Sequence, residues 1–294
     1  MTKNLKGAFL MTLASVCFST AGVLFKHVSW SAMSANGVRT FIAACMFVIY
    51  MKITHKKVTV NKTVLGAAAC SMLTTMFFAL SNKNTAAANA ILLQFTAPIF
   101  IILYNSLIKR VKANKTELFT CAAVFLGILL FFFDSMTTGN YLGDFYGLLA
   151  GISYAGVFIL NTRENSDAKS AVMIGYFACA AVSLPFVAGE TDFSLKTIGI
   201  LLFLGVFQLG AGYLFFASSL DYLDAVPASL MSGIEPILNP ILVAVFYPDE
   251  KLSVFARFGA AVVLVSVVAY NAVKAKQDKK RLDEVPVGLN EQKT

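Results

Sequence analysis

The sequence predicts an all-α integral membrane protein, with ten transmembrane helices arranged as two inverted five-helix repeats. Three observations predict it. Of the 294 residues, 57% are apolar and only 14% charged, giving a mean hydropathy of +0.72, well above that of a soluble domain. The apolar residues gather into ten runs of the length that crosses ~30 Å of hydrocarbon as helix. Residues 77–90 (FFALSNKNTAAANA) and 215–228 (FFASSLDYLDAVPA) also resemble each other at an offset of 138.

Span one, 7–26, follows Lys3 and Lys6 and so imitates a signal peptide. It is long, lacks an A-x-A site and precedes nine further spans, so it is expected to remain in the mature protein. Span two, 33–52, carries Arg39 about seven residues from its outer end, ~10 Å along the axis. That distance allows the side chain to snorkel to the headgroups, and a structural or gating role is expected of it; turned inward, its guanidinium would instead match a carboxylate bidentately. Span three, 62–82, presents Cys70, Thr74, Phe77 and Ser81 on one helical face. Span four, 86–107, holds Gln94 and Pro98, and span five, 116–133, closes the first repeat, 1–138. Span six, 144–161, carries Tyr154; span seven covers 169–188. Span eight, 196–218, places Gln208, Gly212, Phe215 and Ser219 on one face and adds Tyr213. Spans nine, 225–246, and ten, 253–273, complete the second repeat, 139–273, before a basic tail, 274–294, suited to lipid headgroups.

The net charge of +8 would suit nucleic acid if it formed a patch, but it is distributed by topology instead. With a cytoplasmic N-terminus, 18 of the 24 basic residues fall in inner segments and four in outer ones, Lys26, Lys83, Lys196 and Lys251. The positive-inside rule then places both termini in the cytoplasm and the chain in the cytoplasmic membrane. Trp30, the lone tryptophan, falls in the first outer loop, a position that suits an interfacial ring. The five cysteines lie inside apolar runs without a C-x-x-C pair and read as small hydrophobes, with no disulfide or metal implied. His27 and His55 fall on opposite sides of the membrane and cannot share a metal. No H-E-x-x-H, G-x-S-x-G or P-loop pattern occurs, so neither an enzyme nor a cofactor is expected.

The repeat extends beyond the quoted match. At the same offset Pro98 falls on Pro236, and at 136 residues LASVCFS, 13–19, falls on LAGISYA, 149–155. Five spans per repeat is an odd number, so the second copy enters the bilayer from the other side. That arrangement is typical of secondary transporters with one site at the repeat interface.

Span nine poses the sharpest chemical question, because LMSGIEPILNP, 230–240, puts a carboxylate inside an apolar run and follows it with two prolines. On a helix Ala228, Ser232, Glu235 and Asn239 form one small, polar stripe. A carboxylate at membrane depth costs ~2.5 kcal/mol or more, so it should face a cavity or a partner. Pro236 and Pro240 donate no backbone hydrogen bond, and the carbonyls they free need protein or water. A broken, cavity-lining helix is therefore expected, in a cavity bounded by spans three, four, eight and nine. In the first repeat Gln94 falls on Ser232 and Ala97 on Glu235, so the site is asymmetric in charge. The expected substrate-binding or coupling residues are Glu235, Ser232, Asn239, Gln94, Gln208, Phe77, Phe215, Tyr154 and Tyr213, with Arg39, Pro98, Pro236 and Pro240 gating or structural.

The ten-span plan, GVRTFIAA at 37–44, the short turn between spans three and four with its small residues and proline, and YPDEKLSVFARFGAA at 247–261 resemble the EamA-type branch of the drug/metabolite transporter superfamily. The resemblance covers about residues 7–273 and implies an inverted-repeat fold that moves small metabolites, often amino acids or related compounds. The chain departs from it at Lys109, Arg110 and Lys112, where an acidic residue matching Glu250 is common, and at Phe18 and Tyr154, where tryptophan is frequent. The expectation is a secondary active transporter of an amino acid, amine or zwitterion, with the proton as candidate coupling ion. A channel-like or sensory bundle is the alternative. The expected partners are a small solute and membrane lipid.

Overall fold

A computed structural model describes residues 3–21, 24, 27–85, 87–111, 114–131, 133, 141–238 and 254–283. Helices α1 (Lys3–Ser19), α2 (Ala32–Ile53) and α3 (Lys62–Asn84) come first. The next apolar run is split into α4 (Ala87–Gln94) and α5 (Ala97–Leu107), and α6 (Lys115–Phe131) follows. The second half has α7 (Tyr141–Asn161), α8 (Ala168–Ser183) with a 3-10 extension Leu184–Gly189, α9 (Leu195–Ser219), α10 (Ala225–Ser232) and α11 (Val254–Asp283). Each expected span thus contains helix. Among the described residues five helices are long and apolar enough to cross a membrane: α2, α3, α7, α8 with its extension, and α9. The last helix runs past the expected end of span ten, so the first part of the basic tail continues it as helix to Asp283.

Polar residues just before the apolar runs set where helices begin. Ser31, Asn61, Asp167 and Ser194 cap α2, α3, α8 and α9, their side-chain oxygens accepting from the N–H groups of Ser34, Val64, Lys169 with Ser170, and Thr197. These caps satisfy amides that would otherwise lack a partner at the helix start. Outward faces are apolar, as Phe119 and Leu126 on α6 and Phe258, Val265 and Val268 on α11 illustrate. Such exposure suits lipid, against which leucine and phenylalanine lose nothing.

The packing repeats between the halves. Helix α3 rests on α7 and α8, and correspondingly α9 rests on α1 and α2. The α4–α5 pair leans on α7 as α10 leans on α1, while α2 with α8, α5 with α10 and α6 with α11 pair across the axis. Exchanging the first five segments for the last five turns the contacts of α3 and of the α4–α5 pair into those of α9 and α10, and maps the three pairs across the axis onto themselves.

Loop contacts fix the sense of the halves. At one end Lys6 Nζ lies 4.9 Å over the Tyr222 ring, Lys169 Nζ pairs with Asp221 at 2.9 Å, Thr59 N–H donates to Ser170 Oγ and Asn61 Nδ2 to the Asn165 carbonyl. At the other end Trp30 Nε1 donates to the Asp192 carbonyl, Ser31 N–H to Glu190 Oε1, Ser81 Oγ to the Gly143 carbonyl and Thr85 Oγ1 to Asp144 Oδ1. Helix α1 starts at the first end and its mate α7 at the second, so the two run in opposite senses.

Trp30 departs from the expectation of an interfacial ring. It is 2% exposed, packed edge-on against Phe193 at 5.2 Å, because loop 27–31 folds onto loop 190–194 instead of lipid. Asp192 anchors that clasp. Hydrogen bonds from the Thr197 and Ser29 hydroxyls and the Ser194 N–H hold its carboxyl well below the usual carboxylate range. Glu190 is lowered too: its partial desolvation acts upward but is outweighed by donors on Ser34 and Ser31.

Each end also has a glycine under a turn. A Cβ at Gly7 would lie 2.6 Å from Leu223 Cγ, and one at Gly143 would lie 2.6 Å from the Asn84 carbonyl carbon and 2.7 Å from Thr85 N. These are repeat mates, α9–α10 turn on α1 and α3–α4 turn on α7. At Gly7 the closest atom, Leu223 Cγ, can shift by rotation while Tyr222 Cβ at 2.9 Å cannot, whereas at Gly143 the two closest atoms are backbone. Gly143→Ala should therefore cost about 1–3 kcal/mol by overpacking and Gly7→Ala less, measured as the fall in thermal unfolding midpoint of the purified protein in detergent. Equal losses would contradict this geometry.

Candidate functional site

The candidate site grows from two helix breaks at matching positions. In the first half α4 ends at Gln94, Phe95 and Thr96 form a turn, and α5 begins at Ala97 with Pro98 in its first turn. In the second α10 ends at Ser232, Gly233 and Ile234 form a turn, and a helical turn resumes at 235–238 with Pro236 second. Both breaks tighten into bonds between residues three apart: Thr96 N–H to the Leu93 carbonyl and Ile99 to Thr96, matched by Ile234 to Met231 and Ile237 to Ile234. Proline explains them, since its ring removes the donor that would have bonded four residues back and suits the first turn of a new helix. The expected interruption at Pro236 is present, with the residue itself buried. Asn239 and Pro240 lie outside the described residues.

Glu235 opens the second half-helix, partly buried, within electrostatic reach of Tyr154 on α7 and Tyr213 on α9. Tyr154 directs its hydroxyl at Ser232. The Ser232 hydroxyl itself donates to the Ser229 carbonyl at 2.7 Å, supporting the helix end just before the break. Glu235, Ser232, Tyr154 and Tyr213 are thus brought together as expected, on spans six, eight and nine; of the expected walls, span four also packs on spans six and nine, and span three on span six.

Beside them stands an aromatic cluster built by both halves. Phe216 is its centre, 0% exposed, with ring centroids 5.2 Å from Phe158, 5.3 Å from Tyr213, 6.2 Å from Tyr154 and 6.3 Å from Phe18. Tyr176 on α8 meets Tyr213 at 5.2 Å. Phe18 and Tyr154, paired by the 136-residue offset, both enter the cluster. Phe215, expected on this face, is half-buried beside the core, and Phe216 takes its place. A π-helical stretch, Leu204–Ala211, lies just before these residues in α9, and there the winding departs from α-helical spacing.

Arg39 departs from the expected snorkel. It is 4% exposed and turned inward, its Nε and Nη2 donating to Asn36 Oδ1 at 3.0 and 2.9 Å. Asn36 Nδ2 in turn donates to Cys179 Sγ at 3.2 Å. The guanidinium faces Tyr176, Cys179 and Tyr213, so Tyr213 lies within electrostatic reach of both Arg39 and Glu235. A headgroup would have cost the arginine nothing, but Asn36 one turn earlier offers a fixed acceptor, and α8 covers the face where water would enter.

The remaining expected residues divide. Gln94 is buried at the first break, and Gln208 is buried in the π stretch with its Oε1 unpartnered. Phe77 stacks on Tyr146 at 6.1 Å in the α3–α7 seam, away from the aromatic cluster. No group of three or more His, Cys, Asp or Glu among the described residues is placed to hold a metal. Sequence reasoning passed over Phe216, Tyr176 and Asn36. Only Asn36 left a signal, a polar residue three positions before a membrane arginine.

Opposed halves, paired helix breaks and an acid at the second break form the architecture of a membrane transporter. Residues 5–133 and 141–272 match the EamA-like transporter family, and the chain belongs to that family. It is 26% identical over 269 residues to an uncharacterized transporter of Archaeoglobus fulgidus, covering 89% of this chain and 95% of that one. It is 22% identical over 278 residues to the pseudopaline exporter CntI of Pseudomonas aeruginosa, covering 91% and 96%. One solved crystal structure superposes with a TM-score of 0.77 over 92% of this chain and 98% of its own, at 12% identity, which supports the fold alone.

The two adjacent phenylalanines test this geometry. Phe216→Ala should lower stability by about 3–5 kcal/mol, and Phe215→Ala by less than half as much, read from thermal unfolding in detergent. The reverse order would place the cluster on the face expected from α-helical spacing.

Proposed function

We propose that the chain is a secondary active transporter that moves a small metabolite, an amino acid or a related amine or zwitterion, across the cytoplasmic membrane by alternating access. In this reading ten helices cross the membrane as two inverted five-helix repeats, 1–138 and 139–273, and both termini are cytoplasmic. The observation that carries it is Glu235, an acid placed at a helix break among buried aromatics, where hydrocarbon alone would reject it. Its repeat mate is Ala97, so a single carboxylate serves the centre.

Tyr213 lies within reach of both Glu235 and Arg39. Opposite charges near one phenol suit a solute with an ammonium and a carboxylate, the guanidinium matching the latter in a two-point fork. Aromatic faces suit the ammonium end. Glu235 serves as cation ligand and proton carrier in exchange, while Arg39, anchored by Asn36, acts as a gate or brace. A relative named as an exporter makes outward movement the first direction to test. A channel-like or sensory bundle fits less well, because the aromatic cluster plugs the junction where a pore would run.

Counterflow in liposomes tests the transporter and its acid together. Wild type should exchange labelled for unlabelled solute with saturation, and Glu235→Gln, which keeps shape but loses charge, should insert normally and exchange at least about tenfold more slowly, the loss expected of a charged hydrogen bond. Unchanged flux and pH dependence in Glu235→Gln would remove the residue from the mechanism, and flux at channel rates would remove the transporter. Orientation has its own check. An external thiol reagent should reach a cysteine placed at Asn140 in intact cells and miss one at Gln277, and labelling of the latter would invert the topology.

A further inference from the structure

A cavity of about 390 Å³ opens at the basic end of the molecule, between the last turns of α2, the loop after it and α8. Val48, Met51, Val58 and Met173 line it together with Lys52, His55 and Lys56. No carboxylate is among the described residues that line it. The chain is folded to gather the two lysines. His55 takes a left-handed backbone, φ 52°, and the Lys56 N–H returns to the Met51 carbonyl while the His55 N–H returns to Lys52. That is the hydrogen-bonding of a helix C-terminal cap, which satisfies the last carbonyls and brings Lys56 back over the end of α2.

The fold does not demand cations there. At the repeat offset of 138, Lys52 falls on Glu190 at the opposite end, where a carboxylate accepts the Ser31 N–H. The matching place therefore carries the reverse charge. On the lipid side of the cavity Ile49 and Ile53 project from the same turns, 56% and 72% exposed. Two lysines, an apolar wall and a lipid-facing flank meet at the depth where a helix end enters the headgroup layer.

We propose that this cavity binds the headgroup of an anionic phospholipid, with Lys52 and Lys56 on the phosphodiester oxygens and the start of an acyl chain along Val48, Met51 and Met173. A soluble phosphate would leave that wall without a partner, and a zwitterionic lipid would bring a cation toward two lysines. Basic recesses between membrane helices recognise anionic lipids in this way. The site is separate from Glu235, and its occupancy does not depend on transport.

Thermal unfolding of the full chain in neutral detergent, titrated with phosphatidylglycerol, phosphatidylcholine of the same acyl chains, or glycerol phosphate, tests it. Only phosphatidylglycerol should raise the midpoint, saturably. The double variant Lys52→Gln with Lys56→Gln should need at least about tenfold more lipid for the same shift. Lys57→Gln, an exposed neighbour outside the cavity lining, should respond as wild type. Val58→Trp, which fills the mouth and leaves every charge, should weaken the response as the double variant does. Equal stabilisation by phosphatidylcholine or by glycerol phosphate, an equal loss in Lys57→Gln, or a full response in Val58→Trp would overturn the proposal.

Discussion

Hydrocarbon offers no partner to a backbone amide or carbonyl, and that constraint organises the rest of the molecule. It forces the chain into helices, and it also decides where a helix is allowed to break. The turns at 95–96 and 233–234 leave carbonyls without their α-helical donors, so both sit inside protein: α7 covers the first, while α10, which bears the second, rests on α1 and on α5 across the axis. Once the interior holds unsatisfied carbonyls it becomes the one place where a carboxylate and a guanidinium are tolerable. Glu235 and Arg39 follow from the breaks in that sense, and the tyrosines between them follow from the need to pack rings around polar groups.

The broad plan was legible because it depends on quantities that sequence carries directly. Run length gave the helices, the odd number of spans gave their opposed senses, and Pro98 on Pro236 gave the paired breaks. What failed was rotation and tertiary partnership. Phe215 was favoured over Phe216 by α-helical spacing, and no local residue announces that 204–211 is wound as π-helix. For Arg39 depth favoured the headgroups over an inward turn, although the acceptor that holds it inward, Asn36, stands one turn away. Trp30 was assigned to the interface because a loop partner 162 residues later is invisible in sequence. The candidate site was half legible for the same reason: Glu235, Ser232, Tyr154 and Tyr213 were placed together by chemistry, while the part played by span six depended on packing.

Symmetry of the frame and asymmetry of charge divide the labour. The halves repeat their contacts, their breaks and the glycines beneath their turns. Charge is then distributed without regard to the repeat: Glu235 opposes Ala97, and Lys52 opposes Glu190. A symmetric bundle would present the same charge at both ends and on both sides of its junction, and the unmatched charges make the two halves different.

Helix α9 winds Leu204–Ala211 as π-helix, whereas its mate α3 is α-helical from Lys62 to Asn84. A π turn is wider than an α turn and is frequent at functional sites. It lies just before Tyr213 and Phe216, so the half that carries Glu235 also carries the irregular winding. The two copies are therefore unequal in backbone as well as in side chains.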